Sequence, residues 1–106
     1  MITYEDFQKV ELRVGTVKAA EKVAGADRLL KLQVDIGEEQ RQLVAGVAQQ
    51  YEPEALVGKQ VIVVANLQPK LFKGVESQGM VLAADSEGAP VLLEPGKKVP
   101  AGAKVK

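Results

Sequence analysis

The stretch Val10-Glu11-Leu12-Arg13-Val14-Gly15-Thr16-Val17-Lys18-Ala19 decides how the fold is read. Val10, Leu12 and Val14 alternate with Glu11 and Arg13, the period of a half-buried strand, and after Gly15 the apolar phase moves to Val17 and Ala19. One extra residue in a strand transfers every later side chain to the other face. A phase change at a glycine therefore predicts a β-bulge or a sharp bend. A first strand bent in this way is what a small barrel needs to close.

On the N-terminal side, Thr3 precedes Glu5 and Asp6, so a hydroxyl cap and two acids favour a helix over Tyr4–Lys9. A helix of one or two turns is stable only if Phe7 docks on a core or a partner. On the C-terminal side the alternation is cleanest. Leu30, Leu32, Val34 and Ile36 face inward, and Lys31, Gln33 and Asp35 face outward. A turn over 36–39 leads to a third strand, Gln42–Val47. Tyr51–Gly58, with proline near its start and glycine at its end, reads as a short helix. Gln60–Ala65 is apolar on both faces and predicts a covered central strand. Gly79–Ala84 is a fifth strand, Ser86–Pro90 a turn, and Val91–Leu93 a short sixth strand stopped by Pro95-Gly96. Three strands, a helix and two strands is the order of the OB-fold. The expectation is an all-β single domain over residues 1–106: a five-stranded OB barrel with short helices and a C-terminal β extension. That barrel serves many unrelated functions, so its order alone names none.

The composition excludes most chemistry. The chain of 106 residues fits one domain, and 46% apolar with 26% charged residues suits a folded globular protein. It has neither cysteine nor histidine, which removes disulfides, thiolate or imidazole metal ligands and His-assisted nucleophiles. Ser77 and Ser86 are the only serines, neither with a visible base, and Gly58-Lys59 lacks the spacing of a phosphate loop. No catalytic residue, metal or cofactor is expected. The apolar run Val61–Ala65 is far too short to span a bilayer, and no basic-then-apolar signal opens the chain, so the expectation is a cytoplasmic protein without a membrane partner.

Net charge is zero, with 14 basic and 14 acidic residues, but the signs are not evenly spread. Between Glu54 and Glu76 there is no acid, and Lys59, Lys70 and Lys73 fall in that gap. After Glu94 the chain carries Lys97, Lys98, Lys104 and Lys106 and again no acid. A neutral chain patterned like this presents either one basic face or an ordinary mixed surface. The segment Asn66–Met80 joins two strands through lysines, amides, an aromatic and a serine. Phe72 there suits either a platform for an unpaired base or a plug for the barrel mouth.

Asp6-Phe7-Gln8-Lys9-Val10-Glu11-Leu12-Arg13-Val14-Gly15, Ala26-Asp27-Arg28-Leu29-Leu30-Lys31-Leu32, Val44-Ala45-Gly46-Val47, and Val64-Ala65-Asn66-Leu67 followed by Glu76-Ser77-Gln78-Gly79-Met80 together resemble one family. It is the tRNA-binding OB domain found at the C-terminus of many bacterial methionyl-tRNA synthetases, as a free-standing tRNA-binding protein and in eukaryotic synthetase cofactors. The resemblance spans essentially the whole chain, and a start at Met1 without a catalytic region fits a separate small protein or an excised C-terminal domain. It implies a non-catalytic homodimer that binds tRNA by shape, as the appendage or accessory subunit of a methionyl-tRNA synthetase catalytic region. The alternative is a dimeric secretion-related chaperone of the same fold that binds unfolded peptide.

Carried over by motif, Lys31, Ser77 and Met80 are the foremost RNA-contacting positions, with Gln78 in the same Ser-Gln-Gly-Met run. Arg41 and Asn66 are further candidates, the first also readable as decoration of a turn, the second as a strand end bonded to its own backbone. Glu76 fits a role in fixing the loop. Lys70 and Lys73 complete the set. In the family a proline is commonly followed by one or two basic residues and then an apolar pair before the glycine, whereas in Pro69-Lys70-Leu71-Phe72-Lys73-Gly74 the two lysines bracket the apolar pair, which leaves open which of them faces phosphate.

Overall fold

The computed structural model describes residues 1–106. In chain order the elements are α1 (Tyr4–Gln8), β1 (Leu12–Val23), β2 (Ala26–Asp35), β3 (Gln40–Ala45), α2 (Pro53–Leu56), β4 (Gln60–Val64), β5 (Lys70–Phe72), β6 (Val75–Ser77), β7 (Met80–Val81), β8 (Ala83–Ser86), β9 (Ala89–Leu92) and β10 (Lys104–Val105). The main sheet runs β3-β2-β1-β4-β7, all antiparallel, with β10 added to β1.

The phase change in β1 is real, but its cause differs from the expected bulge at Gly15. Leu12 pairs with Val64, Val14 with Ile62 and Gly15 with Val61 in one unbroken register. Directly paired residues share a face. Gly15 is therefore itself an inward position. A Cβ there would lie 2.3 Å from Val34 Cγ1, so the space is already taken by a stiff β-branched neighbour. The register shift comes later, between Val17 and Ala19 against β2, which makes Lys18 the extra residue. Ala19 is exposed as a result, and Ala20 packs on the core in its place.

Inside, Leu30, Leu32, Val34 and Ile36 from β2 and its end meet Val17, Leu43, Val61 and Val63, as the alternation predicts. Leu56 of α2 also reaches this core and is fully buried. Each such leucine contributes about 1.5–3 kcal/mol relative to exposure. Val61–Val64 are buried on both faces, as expected of a central strand. α1 starts as its sequence signals, with Thr3 Oγ1 accepting from Asp6 N and Asp6 returning the bond to Thr3 N. Phe7 does not enter the core and remains partly exposed.

Two expectations need correction. The backbone ladder is not a closed five-stranded barrel. β3 and β7 are the two ends of the main sheet, and the strands number ten. The loop expected over residues 66–78 contains a hairpin, β5–β6, turned by Lys73 (φ 52°) and Gly74 (φ 79°). Two consecutive positive φ values in a two-residue loop are the hairpin geometry that matches strand twist. The expected fifth strand breaks at Leu82 into β7 and β8, and the residues around Val91 pair back on β8 as a second hairpin. The C-terminal extension is β10, whose Lys104 and Val105 pair with Arg13 and Leu12.

Candidate nucleic-acid interface

The outer face of β1–β2–β3 follows from the same alternation that fills the core. Lys31 pairs with Glu21 on one side and Val44 on the other, and Gln33 pairs with Ala19 and Gln42. Lys31 Nζ stands 2.7 Å from Glu21 Oε1, with the lysine side chain 31% exposed. Gln33 Nε2 donates to Gln42 Oε1 at 3.1 Å, and Gln42 Nε2 donates to the Glu76 carbonyl at 2.8 Å. Glu21, Gln33 and Gln42 thus share the face with Lys31, although no motif singled them out. Their outward phase beside Lys31 was the available signal.

Where β3 faces the 76–79 segment, side chains bridge what the ladder leaves open. Ser77 is only 2% exposed. Its Oγ accepts from Val44 N and donates to the Gly79 carbonyl, both at 2.9 Å. Gln78 is bonded twice to the Gln42 backbone, through its own N–H at 2.8 Å and through Oε1 at 3.1 Å. Arg41 Nη1 donates to the carbonyls of Ala65 (2.7 Å) and Gln78 (3.0 Å), and its Nη2 meets Glu39 Oε1 at 3.1 Å. That hydrogen bond, and then the guanidinium charge, hold the Glu39 carboxyl below the usual carboxylate range. Gly79 turns the chain at φ 149°, with its α-carbon so close that a Cβ would be 2.8 Å from the Val64 carbonyl oxygen. Only glycine fits there.

The sequence candidates therefore separate into two groups. Ser77, Gln78 and Arg41 direct their polar atoms at the protein's own backbone. So does Asn66, which does not bond its own backbone: Oδ1 accepts from Glu11 N at 2.9 Å and Nδ2 donates to the Lys9 carbonyl at 2.7 Å, tying the N-terminal segment to the end of β4. Glu76 accepts a long bond from Gln78 Nε2 and supports the same clasp.

Lys31, Met80, Lys70 and Lys73 look outward. Met80 and Phe72 line an apolar cleft of about 230 Å³ with Leu29, Val44 and Pro90. Lys70 Nζ sits 5.1 Å from the centroid of the Phe72 ring, a cation–π distance, and Lys73 projects from the hairpin turn. Both lysines are exposed, and both lie outside the four ion pairs of the structure. Lys31, Ser77 and Met80 do converge. One pairs with Val44, one bonds its N–H, and one shares its cleft. No helix is long and apolar enough to cross a membrane.

Residues 12–104 match the model of the family described as "Putative tRNA binding domain". The chain belongs to this tRNA-binding domain family. Its likeness to known proteins is spread over its whole length. It is 57% identical over 106 residues to a methionine–tRNA ligase of Methanothrix thermoacetophila and 51% identical over 104 residues to one of Caldanaerobacter subterraneus. These alignments take 100% and 98% of this chain but 16% of each ligase, so the chain spans about one sixth of the length of the curated relatives it matches.

Among solved structures, a methionyl-tRNA-synthetase-related protein from Pyrococcus horikoshii superposes with a TM-score of 0.94 at 45% identity, covering 100% of this chain and 98% of that one. Chaperone CsaA from Bacillus anthracis superposes at 0.91 with 36% identity, covering 100% and 99%. The tRNA-binding domain is thus an all-β, OB-like unit related to a region of the ligases.

Proposed function

We propose that this domain is a non-catalytic, structure-specific tRNA-binding module that serves a methionyl-tRNA synthetase in the cytoplasm, as a C-terminal appendage or an accessory subunit. The observation that carries this reading is the family match over residues 12–104. The outward face of the domain suits the task chemically. Lys31, Lys70 and Lys73 offer attraction to phosphates without reading sequence, and the Phe72–Met80 cleft offers an apolar seat for one unpaired base. Ser77, Gln78, Arg41 and Asn66 act from behind, by holding the segments that carry these groups. A second contact surface attached to a synthetase raises the local concentration of tRNA at its catalytic region without new chemistry.

Dimerisation belongs to the same proposal. Tyr4, Phe7 and Val10 are exposed and border Val105 across a cleft of about 230 Å³, an apolar surface at the meeting of both chain ends. A two-fold homodimer would cover it and double the lysine face. Light scattering is then expected to give about twice the chain mass, and a monomer at tens of micromolar would contradict it.

A second reading has support of its own. The cleft beside Met80 is lined mostly by apolar side chains, and one of the similar structures is a chaperone. A peptide occupant would bind with little dependence on salt, whereas tRNA binding weakens as salt rises. Titration of bulk tRNA and of an unfolded peptide across a salt series separates the two. The tRNA reading expects measurable affinity at low salt that falls towards physiological salt. Absent or salt-flat tRNA binding beside firm peptide binding would overturn it.

A further inference from the structure

The C-terminal lysines occupy a second, separate part of the surface. Pro95-Gly96-Lys97-Lys98-Val99-Pro100 follows the last acid of the chain, Glu94, and is bracketed by prolines that limit its freedom before folding. The fold fixes this segment firmly. Gln60 Nε2 donates to the Val99 carbonyl at 2.6 Å, Gln60 Oε1 accepts from Val99 N at 3.1 Å, and the same amide reaches Thr16 Oγ1 at 3.2 Å. One side chain thus clips both backbone groups of the residue after Lys98 onto β4. Further along, Gly102 N and the Ala103 carbonyl bond the two backbone groups of Val14. The lysines therefore stand on a pinned loop and not on a loose tail.

Between this loop and the end of α2 lies a polar cleft of about 330 Å³, bordered by Gly58, Gln60, Glu94, Gly96, Lys97 and Lys98. Neither lysine takes part in any of the four ion pairs, and the same is true of Lys59 and Lys18 beside it. Lys59 lies between two residues of the cleft wall, and its carbonyl accepts from Val17 N, which places it next to the bulge at Lys18. Two cations without carboxylate partners, Lys97 and Lys98, thus stand on the cleft wall against its single carboxylate, Glu94, while Asp35, the ladder partner of Thr16, lies further along the same face.

The position continues the outer face. Gln60 pairs with Thr16, Thr16 with Asp35, and Lys18 bulges out between Thr16 and Ala19, the partner of Gln33 beside Lys31. At about 3.3 Å per residue and about 4.8 Å per strand, the cleft lies roughly 15–20 Å from Lys31. Several nucleotides of one strand cover that distance.

We propose that the Lys97–Lys98 cleft is a second phosphate-backbone site, which grips the same RNA some nucleotides away from Lys31. This inference rests on the tRNA reading above. Glu94 then works against binding, and Gln60 is a positioning residue that sets the loop.

The test is a bulk-tRNA titration at several salt concentrations with the full chain and three variants. The Lys97→Gln/Lys98→Gln double variant is expected to bind roughly 3- to 10-fold more weakly at low salt, with a log–log salt slope shallower by about one to two. Glu94→Gln is expected to bind about twofold more tightly, an opposite sign that mere loss of structure does not produce. Lys31→Ala is the reference. If the unaltered chain binds and Lys31→Ala weakens it, while the double variant and Glu94→Gln both match the unaltered chain, the second site is overturned and the tRNA reading stands. If the unaltered chain binds no tRNA at any salt, both fall together. Melting curves of the double variant should match those of the unaltered chain, because both lysines are exposed.

Discussion

Two neighbouring regions use polar side chains in opposite ways. In the clasp between β3 and residues 76–79, Arg41, Ser77 and Gln78 bond backbone groups that no strand partner satisfies. On the outer face Lys31 is paired only with the exposed Glu21, and on the β5–β6 hairpin Lys70 and Lys73 are exposed without a carboxylate partner. The clasp residues hold the sheet where its ladder is open, and the lysines supply charge on the surface so held. Candidate residues drawn from one family resemblance thus divide into those that build a surface and those that stand on it. Burial and the identity of the bonded atom decide which is which.

Breaking the clasp should give the largest stability effect. Ser77→Ala leaves the buried Val44 N–H without its acceptor and the Gly79 carbonyl without its donor. An unsatisfied buried group costs about 1–3 kcal/mol. Thermal melting is expected to drop by several degrees, with tRNA affinity changing only as the segment loosens. A Ser77→Ala protein that melts normally but loses tRNA binding would move Ser77 from the clasp to the contact surface.

Removing both hairpin lysines should do the reverse. Lys70→Ala with Lys73→Ala is expected to leave melting within about 0.5 kcal/mol of the original, as for exposed positions generally. Affinity for tRNA should fall roughly 3- to 10-fold at low salt as one or two phosphate contacts are lost. Unchanged affinity would take the hairpin out of the interface.

The parts of this division visible in the sequence were those governed by local period. Leu30 to Ile36 gave the core face of β2 and placed Lys31 outward, because a strand repeats every two residues and both faces are written in one short run. Gly15 showed that something changed in β1 but not what, since a glycine in an inward position looks the same as a glycine at a bulge. The deciding neighbour, Val34, lies on another strand. β5 and β6 were unreadable as strands because three residues are too few to show a period. Ser77 was recognisable as special from its motif. Its direction was not, because its partner Val44 is 33 residues away.

Two smaller effects sharpen the comparison. Glu21 holds Lys31 in an exposed pair, so Glu21→Gln should free the lysine and raise tRNA affinity about twofold, with little change in stability. An affinity that falls instead would mean that Glu21 orients Lys31 for binding. On the clasp side, the lowered Glu39 carboxyl favours the fold above the ordinary carboxylate range, and that contribution is lost as pH falls through its folded value. Glu39→Gln is therefore expected to melt slightly lower than the original at neutral pH, with the difference closing in acid. Equal melting at all pH values would show that the Arg41–Glu39 pair contributes nothing measurable.

The central claim, that this domain holds tRNA through cations on its outer face, is tested most directly by the salt dependence of tRNA affinity measured side by side for the unaltered chain and Lys31→Ala. The account predicts a linear fall of log affinity with log salt for the original chain, and for Lys31→Ala a weaker affinity with a slope shallower by up to about one, at an unchanged melting temperature. Identical affinities and slopes for the two proteins, or tRNA binding that ignores salt altogether, would contradict it.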